Sequence, residues 1–325
     1  MDNNVRTGIA VAGTVIVDKI KEISAYPDAG QLTQIRSIQN AIGGCVPNVA
    51  LDLKKIAPEL TVSAIGTIGD DMEGAFVKDV LSAGGLDVSG LIVKAGESTS
   101  FTDVMSIPGG QRTFFTYPGA SAGFGVEDVD FAAVNAKIFH LGYFLLLQKV
   151  DDGDGLKILQ KALEHGMETS IDLVSENSDR YGLVLPCLPY TDYLIINELE
   201  AGKLAGIEPV AENLEAIARK LKDLGVRKKV IIHMPDRSVC MSEAGYSVLG
   251  SYMLPEGYIQ GTTGAGDAFC AGALMGIYNG WDDQRVMEFA SACAVMALGA
   301  PDATSGMQEA DRIREFCAAF DRRAV

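Results

Sequence analysis

The chain has 325 residues, enough for one large α/β domain or two ordinary ones. Hydrophobic residues make up 48% and charged residues 22%, a composition able to bury a real core. The formal net charge of −16 argues against nucleic-acid or acidic-membrane partners, since both need a positive surface.

The opening apolar run, Gly8 to Gly13, is too short for a signal-peptide core or a membrane span, and no later run is long enough. The six cysteines (Cys45, Cys187, Cys240, Cys270, Cys293 and Cys317) show neither C-x-x-C pairing nor zinc spacing. They are expected to be reduced and mostly buried, which places the chain in the cytoplasm. His140, His165 and His233 have no spacing that suggests a histidine-rich metal site.

In chain order, Ile9 to Ala12 reads as a strand and Val46 to Ile56 as a helix, with Pro47 tolerable in its first turn. Thr61–Ile65 is a predicted strand, and Met72–Ala83 a predicted helix ending at Gly84-Gly85. Ile138–Leu141, Thr169–Asp172, Tyr193–Ile196 and Val230–His233 read as buried strands. Leu156–Glu164 and Leu214–Leu224 read as helices among them. The C-terminal third is helical over Ala268–Tyr278, Asp283–Leu298 and Gln308–Ala319. Gly272 and Gly276 suit close helix packing, and Gly280 a C-terminal cap. Alternating strands and helices imply a mostly parallel sheet covered on both faces.

Two segments break the pattern. About 15–38 holds two short alternating runs, and 99–117 reads as a hairpin turning at Pro108-Gly109-Gly110-Gln111. They are expected to form a small separate sheet over the strand ends, serving as a closing lid, an oligomer interface or both. The whole of 1–325 is otherwise read as one domain.

The stretch Gly261-Thr262-Thr263-Gly264-Ala265-Gly266-Asp267 runs into a predicted helix. Its small residues let backbone N–H groups converge at a helix N-terminus, where an anion is favoured. Asp267 beside a bound phosphate makes most sense as a base for an attacking hydroxyl. The alternative is a glycine-rich turn capping a core helix. Gly43-Gly44 followed by Asn48 offers bare backbone and an amide to sugar hydroxyls, together with Asp18 just after the first strand. Asn197 and Glu200 share one helix face and supply oxygens suited to Mg²⁺, or else form a helix cap. Gly66-Thr67-Ile68-Gly69-Asp70-Asp71 reads as a strand end, a tight turn and an acidic helix start. There is no Walker P-loop and no dinucleotide fingerprint.

Together these motifs, with Pro118-Gly119-Ala120-Ser121 and Asp172, resemble the PfkB (ribokinase-like) carbohydrate kinase family over nearly the whole chain. The resemblance implies a three-layer α/β sandwich with a mostly parallel central sheet and a small β-sheet lid that mediates dimers. It implies ATP-dependent phosphorylation of a sugar hydroxyl. Asp267 matches the general base, and Gly264, Ala265 and Gly266 the anion hole. Asp18, Gly43, Gly44 and Asn48 match sugar-binding positions. Asn197 and Glu200 match residues that place Mg²⁺ largely through water, and Thr262 and Ala294 fall on the ATP side. Adenine is expected near Ala290, Cys293, Ala294 and Ala297. A nucleoside kinase of the same fold, or a sugar- or nucleotide-binding protein without catalysis, are the alternatives.

The chain departs from the family pattern twice. Gly261 stands where an aspartate that helps bind K⁺ is usual, leaving carbonyls near Thr263, Ala300 and Gly306. His233-Met234-Pro235 replaces a Thr or Lys and a Gly near the nucleotide, and Pro235 has no N–H to donate. His233 is expected either to reach a phosphate in its place or to be a satisfied histidine at a strand end. Arg36 and Arg112, in the lid segments, are expected either to grip an acidic or phosphorylated sugar or to sit exposed.

Overall fold

The computed structural model describes residues 6–107 and 112–325. The turn expected at Pro108-Gly109-Gly110-Gln111 lies outside them. The strands are β1 (Ile9–Gly13), β2 (Ile16–Ile23), β3 (Ile35–Gly43), β4 (Val62–Gly69), β5 (Asp87–Lys94), β6 (Phe101–Ser106), β7 (Arg112–Tyr117), β8 (Ile138–Phe144), β9 (Glu168–Leu173), β10 (Tyr193–Asn197), β11 (Lys229–His233), β12 (Arg237–Ser242) and β13 (Gly245–Gly250). The α-helices are α1 (Cys45–Ile56), α2 (Met72–Ala83), α3 (Gly155–Glu164), α4 (Glu198–Ala205), α5 (Leu214–Asp223), α6 (Ala265–Tyr278), α7 (Asp283–Leu298) and α8 (Ala310–Cys317).

β1 explains the layering. Its side chains divide between two cores, Ile9 and Val11 into one, Ala10 and Ala12 into the other. A strand buried on both faces requires that split. The first core holds the apolar faces of α1, α6 and α7, and the second those of α3, α4 and α5. Between them runs a nine-stranded sheet in the order β13-β12-β11-β10-β9-β8-β1-β4-β5. It is parallel from β5 to β11 and antiparallel across β11, β12 and β13. β1 pairs with β4 on one side and β8 on the other, so the strand order switches direction there. Open α/β sheets bind ligands at the carboxyl ends near such a switch.

The expected elements are present with ends shifted by a few residues. Three strands were not anticipated. β5 buries only Leu91 along its eight residues, and its apolar run is just Leu91-Ile92-Val93. β12 and β13 form a hairpin across Glu243-Ala244, a connection that supplies no helix to signal it. α8 is shorter than expected at both ends. Gly272 and Gly276 do sit in close packing: a Cβ on Gly272 would lie 2.8 Å from Ala290 Cα, and one on Gly276 3.0 Å from Trp281.

The small separate sheet is present, in the order β3-β2-β6-β7. Its ladder starts beside the large sheet, where Asp18 on β2 faces Ala41 on β3 and Thr102 on β6. Its edge strands carry exposed apolar side chains, Ile38 on β3 and Phe114 and Phe115 on β7. No helix among the described residues is long and apolar enough to cross a membrane.

Candidate active site

Asp267 lies in the first turn of α6, and Gly264 is that helix's N-cap. Gly264 has φ 80°, and a Cβ there would come within 2.5 Å of Ala303. Only glycine fits both the left-handed backbone and the approach of the 303 segment. No side chain caps α6; Ala265 N–H donates to Thr262 O at 3.3 Å, and the N–H groups of Gly266 and Asp267 that follow have no side-chain cap.

The rest of the site comes from carboxyl ends of parallel strands. Tyr143 and Asp172 lie one residue before the ends of β8 and β9, Asn197 ends β10 and His233 ends β11. Tyr143 donates its hydroxyl to both Asp267 oxygens at 3.0 Å. Asn48 Nδ2, from the first turns of α1, donates to Asp267 Oδ2 at 2.9 Å. Burial pushes the Asp267 carboxyl up to about 7, with Asp172 adding to the rise and the Asn48 and Tyr143 hydrogen bonds opposing it. The group is therefore poised between its acid and base forms near neutral pH.

Asp18, Gly43 and Gly44 come together at the start of α1, although none of them, nor Asn48, lines the two cavities beside Asp267. Asp18 is within β2 of the small sheet, in the first of the two alternating runs expected over 15–38. A Cβ on Gly43 would fall 2.5 Å from Asp18 Oδ2, and one on Gly44 2.7 Å from Thr14 O. The two glycines let the Asp18 carboxylate and the β1–β2 backbone close on the start of α1. Burial raises Asp18 to about 6. Asn48 Oδ1 is buried without a partner, an acceptor facing no donor. Asp52, one turn further along α1, is also fully buried with neither oxygen partnered, and burial holds it well above the carboxylate range.

Asn197 and Glu200 form the reciprocal cap of α4. Asn197 Oδ1 accepts from Glu200 N at 2.9 Å, and Glu200 Oε2 accepts from Asn197 N at 3.1 Å. Asn197 Nδ2 and Ser175 Oγ both donate to Glu200 Oε1 at 2.8 Å. The Asn197 side chain is thus spent on the cap, while Glu200 keeps lone-pair capacity on Oε2. Burial pushes Glu200 up to about 8 against those hydrogen bonds.

Two cavities flank this centre. One of about 290 Å³ is lined by Tyr143, Asp172, Glu200, Gly264 and Asp267. The other, of about 680 Å³, is mostly apolar and is lined by Thr262, Phe269, Ala294 and Leu298. They share Ser175, Asn197, His233 and Gly266, so they meet at the α6 N-terminus.

One expectation needs correction, and two open alternatives are decided. On α7, the face toward the larger cavity is Ser291, Ala294, Val295 and Leu298. Ala290, Cys293 and Ala297 point into the core instead. His233 does border both cavities, 4.7 Å from Phe269 ring to ring, but burial lowers its pKa to about 4. It is a neutral ring at pH 7 and brings no positive charge to a phosphate. Arg36 and Arg112 lie at the far end of the small sheet: Arg36 is the unpaired residue at the bulge where Glu22 faces Ser37 and Ile23 faces Ile35, and Arg112 is in register with Ser106, both away from Asp18. Both are exposed, and Arg36 donates to Ser24 Oγ.

At Gly261 a Cβ would lie 3.0 Å from Ala300 O and 3.3 Å from Pro301 O, so those carbonyls pack close against a position that brings no carboxylate. Two contributors were invisible in sequence. Tyr143 has φ 61°, rare for a non-glycine residue, and nothing local marks it. Arg323, in the C-terminal tail, lines the larger cavity because residues 321–323 pair with 251–253.

The model of the pfkB family of carbohydrate kinases matches residues 6–310. The chain belongs to that family. It is a phosphotransferase acting on an alcohol group, and its fold is ribokinase-like. It is 29% identical over 310 residues to an ATP-dependent ribose-1-phosphate kinase of Halopiger xanaduensis, covering 94% of this chain and 96% of that one. It is 25% identical to a 5-dehydro-2-deoxygluconokinase of Clostridium perfringens, over 88% of this chain and 86% of that one. The structure of Arabidopsis thaliana ribokinase complexed with ribose and ATP superposes with a TM-score of 0.84 at 21% identity, over 96% and 99% of the two chains.

Proposed function

We propose that this pfkB-family kinase transfers the γ-phosphate of ATP to a hydroxyl of a small sugar, with Asp267 as the general base. The supporting observation is the placement of a buried, half-titrated carboxylate at an uncapped helix N-terminus where two cavities meet. The backbone of Gly264, Ala265 and Gly266 serves as the anion hole for the transferring phosphoryl group.

The sugar lies against Asp18, Gly43, Gly44 and Asn48. The orphaned Asn48 Oδ1 takes a sugar hydroxyl as donor, while Asn48 Nδ2 and Tyr143 hold the Asp267 carboxylate in place. The acceptor hydroxyl gives its proton to Asp267 as its oxygen attacks the γ-phosphorus and the bond from phosphorus to the β,γ-bridging oxygen breaks, leaving ADP. ATP occupies the larger cavity, with adenine against Ala294, Val295 and Leu298 and Thr262 near the phosphates.

The donor chemistry beside the anion hole fits Mg²⁺, a hard cation that keeps its waters. Glu200 would hold it through water, with Asn197 fixing the Glu200 carboxylate, and the ion would supply positive charge to the phosphates. The carbonyls facing Gly261 offer no carboxylate, so K⁺ is not required for turnover. The small sheet closes over the sugar as a lid and joins two chains in a homodimer through its exposed apolar edge strands. The protein works in the cytoplasm, consistent with six free, buried cysteines.

The test is ADP release with ATP, Mg²⁺ and a panel of ribose, ribose 1-phosphate, fructose, 2-keto-3-deoxygluconate, 5-dehydro-2-deoxygluconate and nucleosides. Turnover with one sugar supports the reading. Turnover with nucleosides alone replaces it by a nucleoside kinase, and binding of sugar and ATP without ADP overturns it.

A further inference from the structure

Next to Tyr143 a second set of side chains converges, two of which, Asp172 and Cys270, also line the smaller cavity. Cys45 opens α1, His140 is in β8, and Asp172 is near the end of β9. One ligating atom from each lies within 4.8 Å of the others, and all three residues are buried. His140 Nε2 is 3.4 Å from Asp172 Oδ2 and 3.7 Å from Cys270 Sγ, which comes from the second turn of α6. Gly142 makes the approach possible. A Cβ there would overlap Cys45 Sγ at 1.9 Å and lie 3.0 Å from Asp172 Oδ1.

We propose that Cys45, His140, Asp172 and Cys270 form a structural binding site for Zn²⁺. The two separations at His140 Nε2 match the edges of a zinc tetrahedron, about 3.4 Å for nitrogen to oxygen and about 3.6 Å for nitrogen to sulfur, given the usual zinc–ligand bond lengths. A mixed sulfur, nitrogen and oxygen set selects zinc over magnesium or calcium. Supporting partners are in place as well. Ser170 Oγ is 3.1 Å from His140 Nδ1, and the Tyr143 N–H donates to Asp172 Oδ1 at 2.6 Å. With Nδ1 protonated and donating to Ser170, Nε2 turns its lone pair toward the cluster. Each cysteine that binds as thiolate releases one proton.

The ligands come from four separate elements, α1, β8, β9 and α6, which explains why no spacing in the sequence announces them. An ion there would tie the helix that carries Asn48 to the helix that carries Asp267, through the strand that carries Tyr143. Its ligand set differs from the Mg²⁺ position at Glu200, although Asp172 and Cys270 line the same cavity as Glu200, and it stands whether or not the acceptor is a sugar.

The experiment uses the full chain. Protein grown with zinc is desalted and its metal content measured. It is then stripped with a chelator and titrated with Co²⁺ alone. The expected results are one zinc per chain after desalting, and an intense thiolate-to-cobalt charge-transfer band with tetrahedral d–d bands. Cys45→Ser should lose much of the charge-transfer band, while Cys187→Ser, outside the cluster, keeps it. Wild-type protein that retains no zinc and shows only a weak octahedral cobalt spectrum overturns the proposal, whatever the variants do. A charge-transfer band unchanged in both Cys45→Ser and Cys270→Ser also overturns it.

Discussion

Around Asp267 the side chains are buried, polar and bonded to one another, whereas the larger cavity is walled by Leu254, Ile259, Ala294, Val295 and Leu298. The first region fixes the direction of a carboxylate through Asn48 and Tyr143. The second offers shape and apolar area with few fixed donors. Bond making at phosphorus depends on orientation within fractions of an ångström, while holding a nucleotide depends mainly on fit. Substitutions on the two sides should therefore separate turnover from nucleotide affinity.

The largest effect is expected from Asp267→Asn. It keeps size and packing but removes the base, so kcat on the true acceptor should fall at least about a hundredfold. Sugar and ATP dissociation constants, followed by calorimetry, should change far less. Equal loss of binding and turnover would erase the contrast between the two regions.

Asn48→Ala comes next. It removes a donor to Asp267 and the orphaned acceptor, so kcat/KM for the sugar should drop on the order of tenfold to a hundredfold with KM for ATP little changed. On the other side, Ala294→Phe narrows the larger cavity and should raise KM for ATP about tenfold, roughly 1.4 kcal/mol, with kcat at saturating ATP retained. A kcat defect in Ala294→Phe would show that the cavity also orients the phosphates.

The smallest effect concerns the cation. Exchanging K⁺ for a bulky organic cation at constant ionic strength should leave kcat unchanged, because Gly261 brings no carboxylate to the carbonyls of Ala300 and Pro301. A K⁺ requirement in steady-state assays would mean that carbonyls alone suffice.

What could be read from the chain follows the same division. The α6 turn was legible because glycines at 264 and 266 and an aspartate at 267 sit together along the sequence. Parallel strands were legible as apolar runs, whereas β5 and the β12–β13 hairpin, half-exposed or helix-free, left little such trace. The face of α7 toward the larger cavity was misplaced by one position, since Ala290, Cys293, Ala294 and Ala297 are equally small and apolar, and only packing against α6 decides which turn inward. Tyr143, Cys45, His140 and the tail residue Arg323 are brought to the centre by strand order and chain reversal. Local pattern carries no record of either.

The pH dependence of kcat/KM tests the central claim most directly, measured on chelator-treated protein with Mg²⁺ restored. Asp267 must be ionised to accept a proton, and burial holds its free-enzyme pKa at about 7. The rate constant should therefore rise with pH through about 7 and level off above it. Tyr143→Phe removes a hydrogen bond that favours the ionised form, so the same limb should move to higher pH. A profile that is flat through neutrality in the wild type, or a limb that Tyr143→Phe leaves in place, would contradict the assignment of Asp267 as the proton acceptor.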